Sequence, residues 1–593
     1  MSLEYAPLIA ISFPILSSFL IPIAGRGRPK FRAYISVLAI SVAILAILSL
    51  LPTILEGERL HLTYMWAERL GLEFEIYADA LAVYMSLLAF FLCLLAAIYS
   101  VRYMAEKEGL TRYYSGFLIF SGSMVGVFLS GNLLQFFIFW ELMTISCFLL
   151  VLHFQTGVAI RAAYKYFIMI HFGALCLLTT IIAIYLNVGE LSMATLGGLL
   201  ATANGGWLTA AMVLAFVGFA VKAAVIPLHT WLPDAHPEAP SSISALLSGI
   251  MVGTGIYGLI RFFYGIFGFP YAWQSTIIIL GAITALVGVT CALAQVDIKR
   301  LIGFSTVSQL GLISMGIGAG TSLGLAGALF HLINHAFFKA LLFLMAGAVI
   351  YEVGTRNMTR LGGLRKYMPV TFVCGLIAAM SISGIPPFNG FFSKLMITKS
   401  VSDAGYPIMS LIIMVVSIMT FLTFTKLLYL VFWRQKTLKE IKSREKVPIL
   451  MKVPMIALAA CCIAFGLFAH WPLEQIVLPT LGGFNLETAT VYAPSIFDPS
   501  FLTLLSYAGI MLAIIIWFKR RSIMGAVHRF APLSALYHCV EREWWIDSAY
   551  LKFTGAVVSG FKGGRRVMSG HLRDYVAWLI AIFFLLLLYA VLL

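Results

Sequence analysis

Charged side chains are scarce in this sequence. Only 11% of its 593 residues are charged, whereas 61% are hydrophobic. A soluble globular chain carries about 25% charged residues, so the composition excludes an ordinary water-soluble fold and indicates a membrane protein. Apolar runs of about 20 residues recur along the chain, which is the length of a transmembrane α-helix and too long for a barrel strand.

Cysteine is also sparse, and its arrangement argues against a metal or cofactor site. The eight cysteines stand singly or as the neighbours Cys461 and Cys462. The sequence has no C-x-x-C pair and no His/Cys spacing suited to zinc, haem or an iron–sulfur cluster. We therefore expect the cysteines to be packing residues, and we expect the chain to bind no metal and no cofactor.

The apolar runs predict an all-α polytopic membrane protein with about 16 transmembrane helices. A net charge of +15 would suggest nucleic-acid binding in a soluble protein. Here most of the basic residues fall in alternate loops, which follows the positive-inside rule instead. These loops lie at 26–32, 102–112, 161–165, 299–300, 356–366, 434–452 and 519–573. The pattern predicts a cell (inner or plasma) membrane protein with both termini on the external side, a lipid bilayer around it and no nucleic-acid partner.

Two apolar runs are interrupted by proline beside a lysine. The first is KAAVIPLHTWLPDAHPEAP, from Lys222, and the second is SISGIPPFNGFFSK, which ends at Lys394. Because proline lacks a backbone donor and clashes with the preceding turn, each helix should break there. Paired broken helices are typical of transporters built from repeats. We therefore predict two inverted five-helix repeats containing broken helices, at 113–268 and 275–432.

The flanking segments complete the predicted organisation. Residues 1–112 should form a three-helix region, 453–518 further C-terminal helices, and 573–593 a final transmembrane helix. The basic segment 519–572 has apolar residues at helical spacing between polar ones. This pattern predicts a short amphipathic helix on the inner membrane surface.

A few charged residues fall inside the predicted spans. The basic ones are Lys222, Arg261, Lys339, Lys394 and Lys426. Arg261 and Lys426 lie near span ends, where we expect them to extend to the lipid headgroups. Among the acidic residues, Glu141 sits deepest in an apolar run. Because a lone buried carboxylate is costly, we expect Glu141 to be protonated or paired with a cation, and Lys222 is the natural candidate.

The string FHLINHAFFKALLF spaces His331, His335 and Lys339 four residues apart, on one face of a helix. Two histidines so spaced could bind a metal or be hydrogen-bonded core residues, but no third ligand is nearby and a lysine continues the stripe. We favour a proton path, because imidazole exchanges protons near neutral pH. Its expected order is Glu141 with Lys222, then His335 and Lys339, then Lys394. Separation from Glu141 would favour proton release from Lys222.

Several strings closely resemble the antiporter-like family shared by respiratory complex I, membrane-bound energy-converting hydrogenases and Mrp-type cation/proton antiporters. They are FWELMTISCFLL, KAAVIPLHTWLPDAHPEAPSSISALL, DIKRLIGFSTVSQLG, HLINHAFFKALLF and GIPPFNGFFSK. The resemblance implies that Glu141 and Lys222 form a coupling pair. It also implies that Lys339 with His331 and His335 continues a hydrated axis, and that Lys394 lies on the outlet side.

The sequence departs from the family pattern at Gly253, in LLSGIMVGTGIYGLIR, where many members carry Lys or His. A link between the two halves would then depend on water or on another residue, and a subunit with partial or lost transport stays open. The C-terminal strings EREWWIDSAYLKF and SGHLRDYVAWLIAIFF look similar to the end of the largest antiporter-like subunit of complex I.

The resemblance implies a proton-translocating subunit of a redox-driven complex, of the complex I or membrane-bound hydrogenase type. Its partners would be other membrane subunits, including further antiporter-like ones, and a redox module. The transported ion would be the proton, with sodium as an open possibility. An Mrp-type sodium/proton antiporter subunit and a non-conducting structural membrane subunit are the alternatives.

Overall fold

The computed structural model describes residues 3–24, 29–67, 72–203, 205–435, 447–484 and 501–529, with isolated positions between 486 and 552. The described chain is mostly helical. Its α-helices are α1 Ala6–Ala24, α2 Pro29–Leu48, α3 Leu51–Leu55, α4 Ala80–Tyr103, α5 Leu110–Leu129, α6 Leu133–Val151, α7 Gly157–Val188, α8 Met193–Leu200, α9 Gly206–Lys222, α10 Trp231–Glu238, α11 Ser241–Leu246, α12 Val252–Ile260, α13 Tyr271–Ala294, α14 Ile298–Gly318, α15 Ser322–Val353, α16 Pro369–Ser383, α17 Asn389–Asp403, α18 Pro407–Leu428, α19 Ile449–Leu467, α20 His470–Pro472, α21 Leu478–Gly482 and α22 Phe501–Arg529.

Twelve helices of the described chain are long and apolar enough to cross a membrane. Helix α5 corresponds to another of the predicted spans, and α9 and α16 are shorter apolar helices that each continue beyond a break. The final predicted helix at 573–593 and most of the amphipathic segment 519–572 lie outside the described residues. The count of 16 spans therefore stays a prediction.

A two-stranded hairpin precedes α4 and corrects the all-α prediction. Strand β1 (Leu60–Ala67) pairs antiparallel with β2 (Leu72–Ala78), and α4 begins two residues later. The apolar sequence that leads into α4 thus begins within β2, near Tyr77. Aromatic and β-branched residues at the end of the hairpin adjoin the apolar helix, so hydropathy alone does not separate the two.

The helices α5–α12 and α13–α18 follow the same order. In each series the third helix has 32 residues, α7 in one and α15 in the other. Each series also has a broken helix, α9/α10 in the first and α16/α17 in the second. A short antiparallel bridge joins the N-cap of the second helix to the residues after the third, Asn132 with Ser192 and Asp297 with Asn357. This shared order is what a repeat requires, while the inverted relation of the two series stays a prediction.

The helix breaks fall at the prolines that the sequence singled out, and protein groups bind the freed backbone atoms. Helix α9 ends at Lys222 and the chain becomes helical again at Trp231. The indole of Trp231 donates to the Val221 carbonyl at 2.9 Å, and the Ile226 amide donates to the Thr284 hydroxyl at 3.0 Å. Irregular backbone is tolerated at membrane depth under these conditions. The first break therefore holds Lys222 at a helix end inside the bundle.

Candidate ion-translocation site

Glu141 does not pair with Lys222 in this structure, which corrects the expected ion pair. Its Oε2 atom instead lies 3.0 Å from Nδ1 of His171, on the neighbouring helix α7. The other carboxylate oxygen, Oε1, is buried and has no hydrogen-bond partner among the described residues. The His171 ring stacks on Phe167, with 5.5 Å between ring centroids. The partner of this carboxylate is thus a histidine that sequence reasoning missed.

Lys222 is fully buried beside Glu141 without touching it. Its Nζ donates to the Thr144 hydroxyl at 3.0 Å and lies 4.9 Å from the centre of the Trp140 ring. Trp140 and Thr144 flank Glu141 on α6, so the ammonium group of Lys222 lies within electrostatic reach of the carboxylate. Glu141, His171 and Lys222 together are called the first-bundle group below.

His331, His335 and Lys339 are all fully buried on α15. The two ring nitrogens of His331 lie 2.8 Å from the Ser393 hydroxyl and 3.1 Å from the Gln309 amide oxygen. Lys339 donates to the Ser305 hydroxyl at 2.5 Å and to the Ile302 carbonyl at 3.2 Å. His331 and Lys339 are therefore held between α14 and α17 by neutral oxygen atoms.

His335 differs from His331, because neither of its ring nitrogens has a hydrogen-bond partner in the described part of the chain. Its ring makes an edge contact with Phe338, at 5.7 Å between centroids. It lies within electrostatic reach of Lys339, His331 and a further histidine, His236. A buried imidazole with both nitrogens unbonded is costly, which is typical of a group kept for function.

Lys394 lies at the second helix break, where its Nζ donates to the Ile382 carbonyl at 2.6 Å. It is 5% exposed and borders a cavity of about 40 Å³ between α17, α18 and α22. The cavity also has hydroxyl groups in its wall, from Ser383, Thr398, Ser417 and Ser506. Such a volume, with an ammonium group and hydroxyl groups in its largely apolar wall, can hold water. His331, His335, Lys339 and Lys394 are called the second-bundle group below.

Among the residues that the structure describes, no charged side chain links the two groups at Gly253. A Cβ atom at that position would lie 3.2 Å from Leu332 Cδ1, so an apolar residue of α15 occupies the space beside it. The ionisable side chains that act on Lys222 are Cys147 and Glu141, whereas His331 lies within electrostatic reach of Lys394 and Lys339. Within the described chain, the ionisable neighbours of Lys222 therefore differ from those of His331.

Arg261 does not extend toward lipid headgroups as expected, but is buried in an ion pair. Its guanidinium binds both oxygens of Asp79, at 2.5 and 2.8 Å, and its Nε donates to the Tyr257 hydroxyl at 3.1 Å. Burial by itself would raise the pKa of Asp79, but the charge and hydrogen bonds of Arg261 outweigh it and lower that pKa. The pair joins the start of α4 to the end of α12.

His171 and His236 are the polar residues that sequence reasoning passed over. His171 stands alone in the apolar string FIMIHFGAL, and α6 and α7 are consecutive helices that contact each other. A lone histidine in the helix that follows this glutamate therefore indicates a partner for it. His236 was hidden among the prolines of WLPDAHPEAP.

Two family models match the chain. Residues 130–423 match "NADH:quinone oxidoreductase/Mrp antiporter, TM", and residues 64–114 match "NADH-Ubiquinone oxidoreductase (complex I), chain 5 N-terminus". Hydrogenase-4 component B of Escherichia coli K12 is 36% identical over 487 residues, which cover 76% of this chain and 72% of that protein. The chain belongs to the antiporter-like family of membrane subunits.

Other members and solved structures extend this relationship. Na⁺/H⁺ antiporter subunit A1 of Staphylococcus haemolyticus is 36% identical over 502 residues, and the match spans 62% of that longer protein. The Mrp complex from Dietzia sp. DQ12-45-1b matches with a TM-score of 0.75 and 25% identity, over 82% of this chain and 98% of the matched chain.

The membrane-bound sulfane sulfur reductase, an archaeal respiratory membrane complex, matches with a TM-score of 0.79 and 26% identity, over 98% of this chain and 99% of the matched chain. The resemblance drawn from the sequence is thus confirmed, and the chain is a multi-pass membrane protein.

Proposed function

We propose that this antiporter-like chain is the proton-translocating membrane subunit of a redox-driven ion-pumping complex, of the complex I or membrane-bound hydrogenase type. The second-bundle group is the observation that carries the proposal. It places two histidines and two lysines, each at most 5% exposed, along α15 and α17. Ionisable residues inside a membrane are expensive and mark ion pathways. Family membership and the match to a respiratory membrane complex support the redox connection.

Each group has its own role in this proposal. The first-bundle group couples transport to the rest of the complex, because Glu141 and Lys222 change each other's affinity for a proton when their separation changes. In the second-bundle group, His331, His335 and Lys339 carry the proton, and Lys394 releases it on the outlet side. The structure adds His171 as the group that holds Glu141 when Lys222 is bound to Thr144.

The proposal also covers how the chain is arranged in the membrane and which partners surround it. The shared order of α5–α12 and α13–α18 supports two inverted five-helix repeats within 113–268 and 275–432. The one-sided placement of basic loops supports a cell-membrane orientation with both termini outside. Further antiporter-like subunits and a redox module are the proposed partners, supported by matches to multi-subunit membrane complexes.

A Lys339→Ala substitution tests the function. The complex should assemble normally and lose proton transport, because the proton path is interrupted at its central amine. Inverted membrane vesicles that contain the assembled complex, supplied with its electron donor and a pH-sensitive dye, measure transport. Lys426→Ala is the matched control, since Lys426 binds the Leu293 and Gln295 carbonyls outside the second-bundle group. Wild-type transport by an assembled Lys339→Ala complex would refute the proposal.

The second candidate function is that of an Mrp-type sodium/proton antiporter subunit. It is favoured by the antiporter relatives and by the match to the Mrp complex. Transport by the reconstituted complex, measured with and without sodium, separates the two: proton movement that requires sodium and no electron donor selects the antiporter. A complex that transports neither ion would select the third candidate, a structural subunit.

A further inference from the structure

A wide cavity opens at the basic loops, on the side that the sequence assigns to the cell interior. It has a volume of about 720 Å³ and lies between α7, α10, α14 and the loop after α15. Charges of both signs line it. Asp234 binds Lys165 at 2.7 Å and Arg300 at 2.9 Å, and Arg356 binds Glu238 at 2.8 Å. A cavity of this size and polarity is open to water.

Lys299 is buried behind the wall of this cavity, where it contacts the lining residue Pro237. It is 3% exposed, and its Nζ donates to the Ala239 carbonyl at 2.5 Å and to the Pro237 carbonyl at 3.4 Å. Pro237 and Glu238 themselves line the cavity. The ammonium group thus contacts the same short stretch of chain that lines the cavity.

His236 comes next, on the same stretch of chain. It is fully buried, and both of its ring nitrogens are without a hydrogen-bond partner among the described residues. The ring stacks on Phe343, one helical turn beyond Lys339, at 5.0 Å between centroids. It lies within electrostatic reach of both Lys299 and Lys339. An unbonded buried imidazole therefore sits between a lysine at the cavity and the central lysine of the second-bundle group.

We propose that Lys299 and His236 form a proton inlet that connects this cavity to His335 and Lys339 without passing through the first-bundle group. The inference rests on the proposed function, because it supplies the second-bundle group with protons. The Lys299 ammonium gives a proton to a His236 ring nitrogen and becomes a neutral amine. His236 passes a proton to neutral Lys339 or to His335, and water in the cavity reprotonates Lys299. This route removes the difficulty posed by Gly253, since the second bundle takes up its own protons.

Substitutions at Lys299 separate proton transfer from a purely structural role. Lys299→Arg keeps a cation that can donate to the Ala239 and Pro237 carbonyls, but arginine does not release its proton in proteins. His236→Gln keeps a polar side chain of similar size and removes the exchangeable ring. We expect each variant to reduce proton transport by about a hundredfold or more, the lower end of the range for loss of a positioned proton-transfer group.

The assay is proton transport by inverted vesicles that contain the assembled complex, with assembly and electron-transfer rate measured in the same preparation. Lys426→Arg is the matched control, because Lys426 also donates to two backbone carbonyls, at 2.5 and 2.7 Å. Its transport should equal that of the wild type. An equal loss in Lys426→Arg and Lys299→Arg would overturn the assignment of Lys299.

Comparison with Lys339→Ala distinguishes failure of the inlet from failure of the proposed function. Wild-type transport in Lys299→Arg and His236→Gln, with loss in Lys339→Ala, would overturn the inlet and keep the function. Wild-type transport in all three would overturn both. Loss in all three, with assembly intact and Lys426→Arg unaffected, is the result that we expect.

Discussion

Two glycines on α12, both near the site, differ in how much space is available for a side chain. A Cβ atom at Gly255 would lie 2.7 Å from the Ala223 amide nitrogen and 2.9 Å from the Phe219 carbonyl oxygen, both in the backbone at the end of α9. At Gly253 it would meet only side chains, the nearest being Leu332 at 3.2 Å. Close backbone approach at Gly255 therefore fixes the position of the neighbouring Lys222.

We expect Gly255→Ala to destabilise the chain by about 1–3 kcal/mol, the usual cost of overpacking a filled interior. Gly253→Ala should be nearly neutral, because Leu332 can turn aside and alanine favours the helix by about 1 kcal/mol over glycine. Thermal unfolding of the purified chain in detergent, monitored by size-exclusion chromatography, measures the stability change in each variant. Equal losses would show that Leu332 is as rigid as the α9 backbone.

At the scale of helices, the ion pair between Asp79 and Arg261 joins the start of α4 to the end of α12. Asp79→Asn retains a good N-cap for α4, which accepts from the Ala82 amide, but leaves Arg261 buried without a counter-ion. We expect a loss of about 3–5 kcal/mol, as for breaking other buried ion pairs. Glu58→Gln should cost little, because Glu58 is exposed, although it lines the same surface cavity as Asp79.

The pH dependence of this loss follows from the lowered pKa of Asp79. A carboxyl group whose pKa is lower in the folded than in the unfolded chain stabilises the folded state. This contribution is fully present above the unfolded pKa, about 3.9, and is lost as the pH falls through the folded pKa. The stability difference between wild type and Asp79→Asn should therefore be constant from neutral pH to about pH 5, and shrink below about pH 4. A difference that disappears near neutral pH would contradict the lowered pKa.

Local patterns predicted the helices and their breaks, but not the pairing of side chains across helices. Proline fixes where α9 and α16 end, and four-residue spacing predicted a stripe of His331, His335 and Lys339. Asp79 and Arg261 stand 182 residues apart, and hydropathy carries no information on such a contact. The choice of His171 over Lys222 as partner of Glu141 depends on the register of α6 against α7 and α9. Sequence spacing within one helix does not determine that register.

For the whole molecule, the separation of the two groups predicts uncoupling rather than blockage when the first-bundle group is damaged. Glu141 acts on Lys222 and binds His171, but no charged side chain continues from Lys222 past Gly253 to the second-bundle group in the described chain. If the second bundle takes up its own protons, Glu141 transmits the driving movement and does not carry the transported proton.

Glu141→Gln should therefore leave electron transfer near the wild-type rate while the number of protons moved per electron falls. Lys339→Ala should instead stop proton movement altogether. Simultaneous measurement of the redox rate and of acidification in inverted vesicles gives this ratio for each variant. Glu190→Gln is the control, since Glu190 accepts hydrogen bonds from the adjacent Leu191 and Ser192 amides, lies outside both groups, and should retain the wild-type ratio. If Glu141→Gln kept that ratio as well, Glu141 would have no part in coupling, and the driving movement would have to enter the second bundle by another route.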